Sequence, residues 1–397
     1  MKFYLNSCGI VCALGDGIAE VKQQLFTKTA SGISMTDQWS KGQPLPLGFV
    51  RSVLPELNQV SDRLRSRNNQ LALVALEQIR ESVNQAIARF GADRVGIVVG
   101  TSTSGISGTE AALEYFANTG HLPQGFHYSQ QEMGSVAEFL ANELQVRGPA
   151  YVHSSACSSS AKAMASAARL IKLGICDAVI TGGVDSLCRF TVAGFSALES
   201  VSKQRCQPMS ANRDGINIGE GAAFFLMSTE ESDVALLGWG ESSDGYHMSA
   251  PDPSGVGASI AMREALDRAG IVASDLDYIN MHGTATIQND AMESTAIYAL
   301  CGDSVWVSST KPFTGHTLGA AAAIEAALCW ISLQADNVEG RIPAHLWDGV
   351  CDDKLPTLKL STADSKLGRT LRYVLSNSFA FGGSNASLVL GRTGALS

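Results

Sequence analysis

AYVHSSACSSSAKAMASAARLIKL, residues 150–173, passes from a β-like apolar run through a turn of small hydroxylated residues into an Ala-rich helical pattern. The change of hydrophobic period inside so short a stretch puts residues 150–156 on a strand and Ser158 to Leu173 on a helix. Another apolar strand follows at 177–185, DAVITGGVD; upstream lie a strand at 94–100, RVGIVVG, and a helix expected from Ser135 to Leu144. Strand and helix alternating in this way imply an α/β fold with a mainly parallel sheet.

The second half repeats the plan. DYINMHGTAT (277–286) and VWVSST (305–310) read as strands, about Leu318 to Gln334 as a helix, and RYVLSNSFAFGGSNASLVLG (372–391) as a closing hairpin-like pair. Each half has a small-residue turn carrying a reactive side chain between a strand and an Ala-rich helix: SSACSSSAKA at 154–163 and TKPFTGHTLGAAAA at 310–323. This is a weak internal duplication. The polar stretch from Ser228 to Asp233 marks the boundary, giving units of residues 1–230 and 231–397, packed as a pseudo-dimer.

Composition narrows the function. With 397 residues, 45% of them hydrophobic, the chain can bury a large core without metals or disulfides. Its nine cysteines are odd in number, scattered and free of repeated CxxC spacing, so a reducing, cytoplasmic setting is expected and no metal site. Cys8 and Cys12 read as core residues on a first strand. A net charge of -9 argues against nucleic-acid affinity. The longest apolar stretch, Gly319 to Leu333, contains Glu325 and is too short to span a bilayer.

Cys157 sits where a strand hands over to a helix, beside unpaired backbone N–H groups and the positive end of a helix dipole. Such a place favours the thiolate and opens the sulfur to a substrate, although a small buried hydrophobe is the commoner role of cysteine. Two histidines in Gly- and Thr-rich turns after strands, His282 in NMHGTAT and His316 in KPFTGHTLG, favour the chemical reading, since active sites gather past the carboxyl ends of parallel strands. Lys311, five residues before His316, can set its electrostatics.

The order Cys, HGTxT, KxxxGHTxGAA, NSFxFGG resembles the β-ketoacyl synthase family, in its Cys-His-His group, over nearly the whole chain. GTSTSGISG (100–108), SANRDGINIGEGAA (210–223) and HGTATIQNDAMES (282–294) are similar to family segments as well. The resemblance implies a thiolase-like fold, two duplicated βαβαβ halves in a five-layered α-β-α-β-α core. It also implies a 3-oxoacyl-carrier-protein synthase, an acyltransferase needing no cofactor beyond the phosphopantetheine arm of its carrier protein. Cys157 would accept an acyl group, with the backbone N–H groups of Cys157 and Phe381 meeting the oxyanion and the Gly382–Gly383 pair allowing close approach. His282 and His316 would donate to the carbonyl of a malonyl thioester, and Lys311 with Glu325 would form a supporting ionic pair. Phe379 and Phe381 would gate the acyl pocket, and Asp290 and Glu293 would anchor loops. Thr284 and Thr286, or Thr310, Thr314 and Thr317, would contact the pantetheine arm, and Ile106 would line an acyl pocket at a dimer interface.

The chain departs from the family pattern at Ala285, where HGTGT reads HGTAT, and at Ala380 in place of the first Gly of GFGG. Both added Cβ atoms should restrict the backbone. Gln207 precedes Pro208 where Arg is usual, with Arg205 two residues earlier. Arg63, Arg65 and Arg67 form a basic run suited to an acidic carrier protein. Three further readings follow: a homodimer, a heterodimer with a chain-length-factor-like subunit, or this chain as that noncatalytic subunit. The last usually lacks the cysteine. A thioester hydrolase or cysteine peptidase would use a Cys-His pair with a carboxylate or amide orienter, unlike two histidines in matched turns. The pathway, whether fatty acid, polyketide or aryl-polyene, is nudged toward the specialised by the atypical motif positions.

Overall fold

The computed structural model describes residues 1–27 and 31–394. Ten strands build its frame. Those of the first half are β1 (Phe3–Cys12), β2 (Val95–Gly100), β3 (Ala150–His153), β4 (Ala178–Asp185) and β5 (Gly221–Ser228). Those of the second are β6 (Val234–Ser243), β7 (Tyr278–Asn280), β8 (Trp306–Ser308), β9 (Tyr373–Ala380) and β10 (Ser384–Arg392).

The halves share one topology. In the first, the order across the sheet is β3-β2-β4-β5-β1, with the first three strands parallel and β5 and β1 antiparallel to their neighbours. In the second it is β8-β7-β9-β10-β6 with the same directions, and a short strand at Lys359–Leu360 added outside β8. Two residue pairs between β1 and β6, Phe3 with Leu236 and Tyr4 with Ala235, join the sheets edge to edge.

Helices α1 (Arg67–Glu77), α2 (Ile106–Thr119), α3 (Ser135–Leu144), α4 (Ser159–Lys172), α5 (Arg189–Ala197), α6 (Val256–Ala269), α7 (Ile287–Cys301) and α8 (Ala321–Ser332) complete the core. α1 and α3 cover the outer face of the first sheet; α6 covers that of the second, with α7 beside it sharing a buried cluster of Met292, Ala296 and Ile297 with Ile279, Val307 and Leu375; α4 and α8 pack against each other between the sheets. That is a five-layered α-β-α-β-α arrangement, as the resemblance implied. α8 reads AAAIEAALCWIS and is buried on every side but Trp330, because it touches both sheets; it therefore lacks the one-sided apolar stripe of a surface helix. Its small residues let both sheets come close, and Ala163, Met164, Ala167, Ile324 and Leu328 share one buried cluster with residues of both halves.

Three of the parallel strands, two in the second half and one in the first, are shorter than their apolar runs predict. The run 277–286 yields strand only at Tyr278–Asn280, the run 305–310 only at Trp306–Ser308, and 150–156 only at Ala150–His153. In each the chain leaves the ladder at the carboxyl end and turns toward the site. Residues 229–233 connect β5 to β6. Among the described residues no helix is long and apolar enough to cross a membrane.

Candidate active site

Cys157 lies two residues before the first helical residue of α4, preceded by Ala156 at a φ of +50°. A left-handed alanine is strained, and such strain concentrates where a side chain must be aimed. Hydroxyls hold the turn: Ser159 Oγ donates to Ala156 O at 2.5 Å and accepts from Ser155 N at 2.9 Å. Ser158 Oγ donates to Ser155 O at 2.9 Å and meets Ser384 Oγ of the other half at 3.0 Å. The backbone N–H groups of Cys157 and Phe381 both point to the sulfur.

The two histidines arrive from the second half. His316 Nε2 is 3.1 Å from Cys157 Sγ, while its Nδ1 accepts the Leu318 N–H at 3.3 Å. His282 Nδ1 is 3.3 Å from Lys311 Nζ, which also donates to His282 O and to Glu325 Oε1, the last at 2.6 Å. With both Nδ1 atoms accepting, both imidazoles carry their hydrogen on Nε2. The rings stand edge to face, centroids 5.3 Å apart, with Phe379 6.3 Å from His282.

Carboxylates hold the loops. Glu293 accepts the His282 N–H at 2.7 Å and the Gly283 N–H at 2.6 Å; Asp290 accepts from Met209 N at 2.8 Å and Ala285 N at 3.2 Å. Burial pushes the Glu293 carboxyl up to about 7 against these donors, and raises Asp290 and Glu325 as well. It pushes both histidines well below their ordinary range, helped by the Lys311 charge, so the imidazoles are neutral donors.

The sulfur corrects one expectation. Cys157 is only 6% exposed, and burial drives its pKa up to about 11 despite Lys311 and the two N–H groups. The resting group is a thiol ringed by donors, so the helix terminus stabilises the thiolate without populating it at neutral pH.

The same three side chains bring donor atoms within 4.8 Å of one another, close enough for a soft cation. Their surroundings oppose one. A metal-bound Nε2 needs a proton on Nδ1, and here each Nδ1 faces a donor, one of them the Lys311 ammonium.

A cavity of about 220 Å³ opens at the sulfur, lined by Cys157, both histidines, Phe379, Ala380, Phe381, Thr284 and Thr286 among others. Thr310 and Thr314 are turned inward instead: Thr310 Oγ1 accepts from Asn280 at 3.1 Å, and Thr314 Oγ1 donates to Gly315 O at 2.8 Å. Neither they nor Thr317 reach the cavity. Ile106 begins α2, half-buried, outside that lining. Arg67 is no free cation, since its guanidinium pairs with the fully buried Glu220; Arg65 pairs with Asp62 at 2.6 Å, and Arg63 remains exposed.

Ala285 and Ala380 differ in their consequences. Ala380 has an extended φ of -91°, so its Cβ strains nothing; Ala285 sits at +64°, where glycine is at ease. Sequence reading missed Phe195, Leu198 and Ile216, and His247 and Ser249 of the 244–253 loop, all lining the cavity. Phe195 lies 5.7 Å from Phe381. No reactive residue type flags the apolar three; His247 is of a reactive type, but it lies outside the small-residue turns after parallel strands that single out His282 and His316.

The family model for the β-ketoacyl synthase N-terminal domain matches residues 11–232, and that for the C-terminal domain residues 234–344. The chain belongs to the β-ketoacyl synthase family. Among curated family members, a 3-oxoacyl-[acyl-carrier-protein] synthase 2 of Staphylococcus aureus is 32% identical over 345 residues, 82% of each chain. One from Rhizobium meliloti is 35% identical over 327 residues, covering 75% of this chain and 74% of that protein. The solved ketosynthase of Xenorhabdus doucetiae, in complex with its chain length factor, is 42% identical, with a TM-score of 0.93 over 99% of this chain and 98% of that one. A β-ketoacyl synthase from Burkholderia phymatum superposes at a TM-score of 0.86 with 26% identity, over 99% of both chains.

Proposed function

We propose that this chain is a 3-oxoacyl-carrier-protein synthase joining an acyl thioester to malonyl-carrier protein by decarboxylative Claisen condensation. The observation that carries the reading is the meeting of one sulfur, two neutral Nε2–H donors and two backbone N–H groups at the cavity floor.

In the first stage Cys157 Sγ attacks the acyl thioester carbon. A carbon–sulfur bond forms, the N–H groups of Cys157 and Phe381 hold the oxyanion, and the carrier thiol leaves with the proton. In the second stage malonyl thioester enters with its carbonyl oxygen between His282 Nε2–H and His316 Nε2–H. The bond to its carboxylate breaks, carbon dioxide departs, and the electron pair becomes an enolate that the two imidazoles stabilise. Neutral donors in a dry pocket suit this charge because they need no reorganisation. The enolate carbon attacks the acyl-Cys157 carbonyl, and the thiol is regenerated by protonation. Lys311 and Glu325 keep the His282 tautomer and take no proton; no cofactor is required beyond the carrier's phosphopantetheine arm, toward which Thr284 and Thr286 are the hydroxyls at hand. Phe379 and Phe381, with Gly382 at a φ of +81°, form the gate to the acyl side.

The partners we infer are an acyl carrier protein and a chain-length-factor-like subunit, in a specialised pathway of aryl-polyene type within the cytoplasm. The support is the higher identity to a ketosynthase solved with a chain length factor, 42%, than to the two 3-oxoacyl-[acyl-carrier-protein] synthases 2 above, 32 and 35%, together with Ala285 at the atypical motif position. Offered acyl- and malonyl-carrier proteins, with and without such a subunit, the enzyme should release carbon dioxide and a 3-oxoacyl product two carbons longer, and C157A should give no elongated product. Free acid alone would replace this reading with hydrolysis.

A further inference from the structure

Asp185 closes β4 with no exposed surface, and no ion pair to it exists among the described residues. A buried carboxylate without a cation must be satisfied by neutral donors. Six serve it. Thr101 Oγ1, Ser102 N, Thr103 N and Thr103 Oγ1 reach Oδ1 at 2.6, 2.8, 2.9 and 2.9 Å, and Ser102 Oγ and Gly319 N reach Oδ2 at 2.5 and 2.6 Å.

Gly319 is the donor that matters for chemistry. It follows Leu318, a buried leucine at a φ of +52°, and it is the Leu318 N–H that His316 Nδ1 accepts. A leucine in the left-handed region costs on the order of 1–2 kcal/mol and persists only where its surroundings impose it. On one side the turn is fixed by His316 N donating to Asn217 O at 2.6 Å; on the other, by Gly319 N on Asp185. Ser102 braces that grip, its Oγ donating to the carboxylate while accepting from Gly319 N at 3.2 Å.

We propose that Asp185 is a positioning residue for His316: by accepting the Gly319 N–H it holds the strained Leu318 turn, whose own N–H keeps the imidazole with Nε2–H facing Cys157. The assignment of His316 as an enolate donor rests on the function proposed above. The carboxylate belongs to the first half and the histidine to the second, so this grip crosses the same boundary that the reaction does. A carboxamide at 185 keeps the shape but turns one acceptor into a donor, against either Gly319 N–H or the Thr101–Thr103 donors.

The test is D185N, read two ways. Against wild-type release of carbon dioxide from malonyl-carrier protein, kcat should fall about 10- to 100-fold with KM within about two-fold, the pattern of a lost transition-state contact. In protein labelled with 15N-histidine, the His316 ring signals, assigned with H316Q, should move from the Nε2–H pattern toward a mixture of tautomers. A D185N enzyme with wild-type kcat and unchanged His316 signals overturns the proposal. If wild type itself released no carbon dioxide, the function above would fall, and the nitrogen signals, which need no substrate, would still decide the role of Asp185. Should D185N not fold, S102A takes its place: a smaller shift of the same signals is expected, and none at all overturns the proposal.

Discussion

Cys157 shows what a single position in a sequence can and cannot tell. Its identity and place at a helix start were legible, and so was its pairing with His282 and His316; its protonation was not, because burial is a property of the folded surroundings. The dipole and N–H groups were visible as pattern, and the desolvation that outweighs them was not. With a pKa near 11, thiolate grows about tenfold for each pH unit across the neutral range. The rate of iodoacetamide alkylation of Cys157, followed by mass analysis of its proteolytic peptide because Cys351 is also free and exposed, should therefore climb through pH 7, 8 and 9 without a plateau. A plateau below about pH 8 would mean that the donors around the sulfur prevail over its burial. Lys311 offers a second test at this scale. K311M leaves Glu325 as an uncompensated buried charge, which should cost about 3–5 kcal/mol in denaturant unfolding. K311M/E325Q should recover much of that stability while kcat stays low, since His282 Nδ1 still lacks its donor.

Elements carry these residues into place, and most were legible from period and composition. Ser135–Leu144 was read to the residue, and the nucleophile's helix to within one at each end. The sequence overran the strands, since an apolar run continues into active-site loops that are buried for a different reason. It also gave no sign of how closely α4 must approach the sheet. Gly100 ends β2 and Gly183 lies within β4 beneath Ser160: a Cβ on Gly183 would lie 2.7 Å from that of Ser160, and one on Gly100 would lie 2.6 Å from the Ser159 carbonyl carbon. Backbone cannot give way as a side chain tip can. G100A should thus lift the start of α4 and with it Cys157, costing on the order of 1–3 kcal/mol in stability. The rate of self-acylation by an acyl-carrier protein should fall with it. A variant of wild-type stability with normal acylation would show that the helix has room this packing does not reveal.

At the scale of the whole molecule, the question is what makes two similar halves one catalyst. The strand orders match position for position, yet only two residue pairs join the sheets, so the ladder contributes little to their union. The helices between them supply the rest: α4 and α8 are buried by both sheets, and separating the halves would expose Ala163, Met164, Ile324 and Leu328 together. The site has the same dependence, with the nucleophile from one half and both imidazoles from the other. The connector is thin by comparison, with Thr229, Glu231 and Asp233 exposed and no long helix or strand crossing it. A protease site inserted at 229–233 and cut after folding should therefore leave the fragments associated, unfolding in a single transition and still acylating Cys157. The packing requires that outcome because each fragment alone would present the apolar inner face of a sheet to water, whereas the cut itself removes one surface peptide bond. Fragments that part on gel filtration, or that melt separately in calorimetry, would show that the connector and not the shared helical layer holds the catalyst together.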